Sequence, residues 1–215
     1  MLRSMILIIG LGNPGKEYEG TRHNMGREIS IAFAKKHFEA LLLNTKLKAL
    51  SIEGRLGKEK FAVVLPETFM NKSGEAAKRA QLLFKSKLDK IFIVHDDADI
   101  ELGRTKLSFD RDSAGHKGVE SVMRGLGSKK FWRFRIGIGT PQPKGISLRG
   151  QKKRGDWSTV KNKKRMKHMP AEDMVLKKFS AAEEALAKKV RTKTIGALGE
   201  LANDPPEKVM NHYNK

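Results

Sequence analysis

The sequence predicts a single α/β domain with a layered architecture. Apolar runs of strand length recur along the chain, at residues 5–9, 61–65 and 90–95. Segments with helical periodicity separate them, and alternation of this kind places helices against a sheet. With 215 residues the chain suffices for one sizeable core, and neither an internal repeat nor a second domain is visible.

Taken in order, residues 5–9 (MILII) form a buried strand running into glycine. Residues 24 to about 38 form a helix with Met25, Ile29, Ala32 and Phe33 on one side. Residues 47–52 and 61–65 are strands joined through a turn containing Gly54 and Gly57. Residues 71–85, rich in Ala and Leu, are helical, and 90–95 (KIFIVH) is the most hydrophobic strand and therefore central. A strand at 105–109, a helix at 116–126 and a strand at 134–138 follow. The long helix from 180 to about 202 opens with Ser180-Ala181-Ala182-Glu183, a capping-box pattern. Pro205-Pro206 breaks it, and a short terminal helix follows.

Charge narrows the function. Lys and Arg number 44 against 24 acidic residues, a net charge of +20, which calls for a polyanionic partner, nucleic acid before membrane. The chain has no cysteine, which removes disulfides, thiolate metal sites and a Cys nucleophile and suits a cytoplasmic setting. No apolar run approaches the ~18 residues of a membrane span. The basic excess is partly concentrated in residues 141–170, which carry ten bases, Lys152, Lys153 and Arg154 among them, against the single acid Asp156. That segment lacks apolar periodicity, so we expect an insertion that is mobile when free and touches phosphates with little sequence preference. Trp157 in its middle offers a stacking surface for an unpaired base; an incidental aromatic in a solvated loop fits nearly as well.

"GLGNPG" (residues 10–15) follows the first strand and has the G-x-G-x-x-G form of a dinucleotide fingerprint. In that fingerprint a helix opens within the motif so that its amides meet a pyrophosphate. Here Pro14-Gly15 turns the chain and polar residues continue to about Asn24, too late for that task. We read instead a sharp loop presenting Asn13 and then "TRHNMG" (residues 21–26) at the carboxyl edge of a strand. Three further polar clusters follow strands: "ETFMNKSG" (67–74), "HDDAD" (95–99) and "AGHKG" (114–118). With these ends side by side, Asn13, His23, Asn71, Asp96 and His116 converge. The cluster Asp96, Asp97 and Asp99 also offers Mg²⁺ ligands, but the other clusters supply amides and imidazoles and few further carboxylates.

Together "IIGLGNPGKEYEGTRHNMG", "LPETFMNKSG", "HDDADIELG", "GHKG", "FRIGIG" and "VMNHYN" resemble the bacterial-type peptidyl-tRNA hydrolase family, in family order over residues 5–140 and about 174–214. The resemblance implies a single-domain fold with a mixed, twisted sheet flanked by helices on both faces. It implies hydrolysis of the ester between peptide and tRNA, without metal or cofactor; separately, we expect a monomer. By position it makes His23 the catalytic histidine and Asp96 its carboxylate. Asn13, Met70, Asn71 and His116 become substrate-binding residues and Arg135 a contact to tRNA; beside them we expect Tyr18 and Lys117 at the substrate and Arg133 at tRNA. The chain departs from the family at Lys117, where an asparagine is usual, and in "FDRDSAG", where the loop is usually richer in glycine. It departs again at Ser108, in place of a lysine for which Lys106 or Arg111 substitutes. The 141–170 insertion is longer than the usual connection and makes tRNA or the ribosome its expected target.

The chemistry agrees. Ester hydrolysis needs an activated water, for which imidazole is the natural base. It also needs a carboxylate to hold that imidazole's tautomer and an amide to stabilise the oxyanion. The amides Asn13 and Asn71 also suit turn or helix caps, with Asn71 where the N-cap of the 71–85 helix belongs. His95 reads as a packed core histidine; His37, His168 and His212 carry no functional reading. The alternative function is a non-catalytic RNA-binding protein on the same scaffold.

Overall fold

The first strand determines the layering. In the computed structural model, which describes residues 5–139 and 174–215, β1 (Ile6–Gly10) is buried along its whole length. Ile6 and Ile8 face one core, Leu7 and Ile9 the other. A strand covered on both sides has no polar face, which is why this one is a continuous apolar run. Strands β2 (Leu42–Asn44), β3 (Ala49–Leu56), β4 (Glu59–Pro66), β5 (Ile91–Glu101), β6 (Thr105–Phe109) and β7 (Trp132–Gly139) complete one sheet, ordered β2-β3-β4-β1-β5-β7-β6. The four central strands are parallel; β3 and β2 on one side and β6 on the other run antiparallel, so the sheet is mixed.

Helices α1 (Met25–His37) and α4 (Ala181–Glu200) cover one face through Met25, Ile29, Phe33, Ala187, Val190 and Leu198. Helices α2 (Ser73–Phe84) and α3 (Lys117–Leu126) cover the other through Ala76, Ala77, Ala80, Val119 and Val122. Ser180 and Glu183 close the expected capping box at α4. The terminal α5 (Pro206–Tyr213) begins on Pro206, whose missing N–H costs nothing at a first helical position. Beyond it, the Asn214 side chain accepts from Leu107 N–H at 2.7 Å and donates to Leu107 C=O at 3.0 Å, imitating one more strand residue on the outer edge of β6. Among the described residues no helix is long and apolar enough to cross a membrane.

The structure corrects several boundaries. Strand β5 runs through "HDDAD" to Glu101, because β7 pairs alongside it, His95 opposite Arg135 and Asp96 opposite Ile136. The expected loop is therefore the end of a strand, and its carboxylates sit on a rigid element. Strand β2 was not expected; its two leucines are exposed at the sheet edge. Strand β3 starts two residues later than expected and runs four further, because it pairs with β4 along its whole length, from Ala49 opposite Pro66 to Leu56 opposite Glu59. Helix α2 begins at Ser73, after a 3-10 turn at Met70–Lys72, so Lys72 and not Asn71 is its N-cap. The basic insertion, with Lys152, Lys153, Arg154 and Trp157, lies outside the described residues.

The glycines of the first loop serve close packing. Nine residues separate Gly15 from the start of α1 and only a 3-10 turn at Lys16–Tyr18 intervenes directly after the glycine, so no α-helix opens on the motif. A Cβ on Gly12 would lie 2.6 Å from Arg27 Cβ, and one on Gly26 would lie 2.1 Å from Val94 O. Helix α1 thus enters directly above the ends of β1 and β5. Gly26→Ala is expected to lower stability by about 1–3 kcal/mol through overpacking, read as a reduced urea midpoint with an unchanged slope.

Candidate active site

The carboxyl ends of the parallel strands carry a cleft of about 530 Å³. Asn13, His23, Met70, Asn71, Asp96, His116 and Lys117 all line it, as the strand-end reading requires. Open α/β sheets bind ligands at this edge because loops diverge there.

Each polar group is held by its own element. The Asn24 side chain grips the loop backbone, accepting from Asn13 N–H at 2.8 Å and donating to Asn13 C=O at 2.9 Å. The Asn13 side chain in turn accepts from Met70 N–H at 2.8 Å through Oδ1. That bond fixes the amide: Asn13 lines the cleft and its Nδ2 has no partner among the described residues, so its N–H groups are left for a ligand. Asn71 is exposed and has no side-chain partner among the described residues, free to turn towards a ligand.

His23 lies in the 3-10 turn Arg22–Asn24 ahead of α1. Arg22 N–H donates to Lys177 C=O at 3.0 Å, and its guanidinium pairs with Glu183 at 2.8 Å, so the returning chain clamps this turn. The same returning segment adds Val175 and Leu176 to the cleft, where Phe69 and Ala98 extend the apolar wall.

At the centre, His23 Nδ1 is 3.0 and 2.9 Å from the two oxygens of Asp96, and His116 Nε2 is 3.0 Å from Oδ1. The side chains of Asp96 and His116 keep 2% and 7% of their accessibility, against 13% for His23, so His23 is the member most open to the cleft. Burial by itself would raise the Asp96 carboxyl, but the electrostatic pull and hydrogen bonds of the two facing imidazole N–H groups hold it well below the usual carboxylate range. An ionised carboxylate only accepts, so His23 Nδ1 donates and Nε2 is left with a lone pair. His95 is buried, and burial pushes it well below the ordinary imidazole value; its Nδ1 donates to Asp96 C=O at 2.6 Å. It is a neutral core histidine, as expected.

His23, Asp96 and His116 are close enough to share a metal ion. The donor set does not suit one. His116 Nδ1 accepts from the α3 backbone, which leaves an N–H and no lone pair on Nε2. Asp97 is engaged with Arg135 at 2.7 Å and Asp99 is exposed, so the three aspartates do not gather around an ion.

Other expected residues fall elsewhere. Arg133 is buried, with its guanidinium donating to the carbonyls of Arg111 and Asp112. It braces the loop ahead of α3 and cannot reach a phosphate outside the protein, which corrects the expectation that it binds tRNA. Arg135 is tied to Asp97, opposite Lys106 across the β6–β7 pair. Lys106 and Arg111 are exposed. Tyr18, half-buried in the turn Lys16–Tyr18, is not among the residues lining the cleft. Sequence reading missed Asn24, the Arg27–Glu67 pair that ties α1 to the end of β4, and the apolar wall. Asn24 stands within "TRHNMG", and only its contacts reveal the task.

Asn13 and Asn71 should separate in stability. Removing the buried acceptor in Asn13→Ala is expected to cost about 1–3 kcal/mol, while exposed Asn71→Ala stays within about 0.5 kcal/mol. Chemical denaturation of the two variants checks this.

Comparison with known proteins agrees with this geometry. The profile of the peptidyl-tRNA hydrolase family matches residues 7–152. A peptidyl-tRNA hydrolase of Prochlorococcus marinus (strain MIT 9215) is 34% identical over 209 residues, covering 97% of this chain and 95% of that one. One from Thermoanaerobacter sp. (strain X514) is 44% identical over 138 residues, 64% of this chain and 74% of that one. The crystal structure of peptidyl-tRNA hydrolase from Acinetobacter baumannii superposes with a TM-score of 0.81 at 26% identity, over 98% of this chain and 95% of that one. With the mixed sheet and the cleft at its carboxyl edge, these matches establish that the chain belongs to the peptidyl-tRNA hydrolase family.

Proposed function

We propose that this protein hydrolyses the ester between peptide and tRNA in peptidyl-tRNA, with His23 as general base. The observation that carries the reading is the His23–Asp96 pair, at 2.9 Å, on the wall of an open cleft. His23 Nε2 takes a proton from water as that water attacks the ester carbonyl. Asp96 holds the tautomer and stabilises the imidazolium that forms. The protonated imidazole then returns a proton to the departing ribose oxygen.

Asn13 Nδ2, fixed in advance by the Met70 bond, suits the developing oxyanion; such a donor is worth roughly 3–4 kcal/mol. Asn71, free to turn, suits the grip on substrate. The wall of Phe69, Met70, Val175 and Leu176 gives the peptide an apolar surface. Lys106 and Arg111, exposed on β6 and the loop after it, are the charges we assign to tRNA phosphate, with Arg135 beside them and Lys117 at the cleft. The intact dyad disfavours a purely RNA-binding role. We assign the enzyme to the cytoplasm as a monomer acting at the acceptor end of tRNA. In support of the cytoplasmic setting, the sequence has no cysteine.

His23→Ala is expected to lower turnover of peptidyl-tRNA by about 10²–10⁴-fold while tRNA affinity changes less than threefold, by filter binding. Asp96, held well below the usual carboxylate range, stays ionised in the wild type as the pH drops through the mildly acid range, so its hold on His23 persists there. Equal turnover by wild type and variant would remove His23 from the role.

For the insertion we propose phosphate contact through Lys152, Lys153 and Arg154. Deleting residues 144–167 should weaken tRNA binding and flatten its dependence on salt, with cleavage of a small ester analogue unchanged. An identical salt slope would show that the segment takes no part.

A further inference from the structure

His116 is expected to touch substrate, yet both of its ring nitrogens are already engaged. It is the N-cap of α3, and Nδ1 accepts from Gly118 N–H at 3.1 Å and Val119 N–H at 3.3 Å. A ring nitrogen that accepts from two donors carries no proton. The ring proton therefore resides on Nε2 and is donated to Asp96 Oδ1 at 3.0 Å. A proton on Nδ1 would face two N–H groups at the positive end of a helix dipole.

Histidine is an uncommon N-cap, since Ser, Thr, Asp and Asn do that work with shorter side chains. What the imidazole adds is a second polar atom at its far end, and that atom reaches Asp96. The carboxylate is thereby gripped from both sides: His116 holds Oδ1, and His23 straddles Oδ1 and Oδ2. The two rings lie 4.8 Å apart between centroids.

We infer that His116 is a positioning residue acting through Asp96. The amino end of α3 fixes it as a neutral Nε2–H donor. That donor orients the carboxylate and takes up part of its charge, so that His23 is a ready acceptor of a proton and not already its holder. The inference rests on the reading of His23 as general base and assigns the residue that tunes that base.

The other charged and titratable groups around this centre are accounted for. On β5, Asp97 is paired with Arg135 at 2.7 Å, and neutral His95 packs edge-on against His116 with centroids 4.8 Å apart. On the turn that carries His23, Arg22 is paired with Glu183. On α3, Lys117 lines the cleft. His116 is the group among them that shares Asp96 with His23.

Two substitutions separate the two ends of the ring. Asparagine places its amide where Nδ1 stands, so His116→Asn keeps a good helix cap and loses the reach to Asp96. Glutamine places its amide where Nε2 stands, so His116→Gln restores a donor to Asp96 and gives up the cap. We expect His116→Asn to fold with its helix cap kept, its urea midpoint lowered only by the lost bond to Asp96. The acid limb of its kcat/KM profile should move up by roughly 0.5–1 pH unit, because a less-solvated Asp96 then holds a proton more firmly on His23. His116→Gln should bring the limb back towards wild type while unfolding earlier.

Long-range ¹H–¹⁵N NMR of the wild-type protein reads the tautomer directly. The His116 ring should show a protonated Nε2 and an unprotonated Nδ1 near neutral pH. A charged or Nδ1-protonated His116 near neutral pH would overturn the inference, whatever the fate of the variants. So would an acid limb in His116→Asn coincident with wild type. If His23→Ala retains activity, the base assignment fails instead, and the NMR result distinguishes that failure from this one.

Discussion

A carboxylate cut off from water and held by imidazoles is the constraint around which this molecule is arranged. Ionised Asp96 in the interior is costly unless its oxygens are bonded. Its bonds come from two side chains far apart in sequence, His23 ahead of α1 and His116 at the start of α3. Those helices lie on opposite faces of the sheet. Both layers must therefore be docked correctly before the charge is satisfied, and the site reports on the assembly of the whole domain.

The backbone makes that docking stringent. Helix α1 enters where Gly26 meets the β5 carbonyl of Val94, and Asn24 bonds the Asn13 backbone beside it. On the other face, a Cβ on Gly74 in α2 would lie 1.9 Å from the Ser121 carbonyl of α3. Helix α3 is thereby pressed close to α2, and its amino end cannot drift from Asp96. Close backbone approach on both faces holds the three polar groups in a fixed geometry, which is what a preorganised site requires.

The layer order and most elements were legible because the signals were local: the apolar run of β1, the capping box of α4 and the breaking prolines at 205 and 206. The length of β5 was not. Four polar residues in five look like a loop, and only the pairing with β7 keeps them extended. Among site residues, the convergence of Asn13, His23, Asn71, Asp96 and His116 was readable from their places after strands. Arg133 was not, because an arginine in a basic chain reads as solvent-facing, and here its brace to the carbonyls of residues 111 and 112 buries it. Asn71 lost its capping role to a 3-10 turn that no residue pattern announces.

The amide of Asn214 beside Leu107 bears on a different hazard. An outermost strand with free N–H and C=O groups invites another chain to extend the sheet. Here one side chain, brought back across 107 residues of sequence, occupies that position. A molecule clipped ahead of it would keep its reacting groups yet expose a template for growth, so such damage would surface first as self-association and only later as lost turnover.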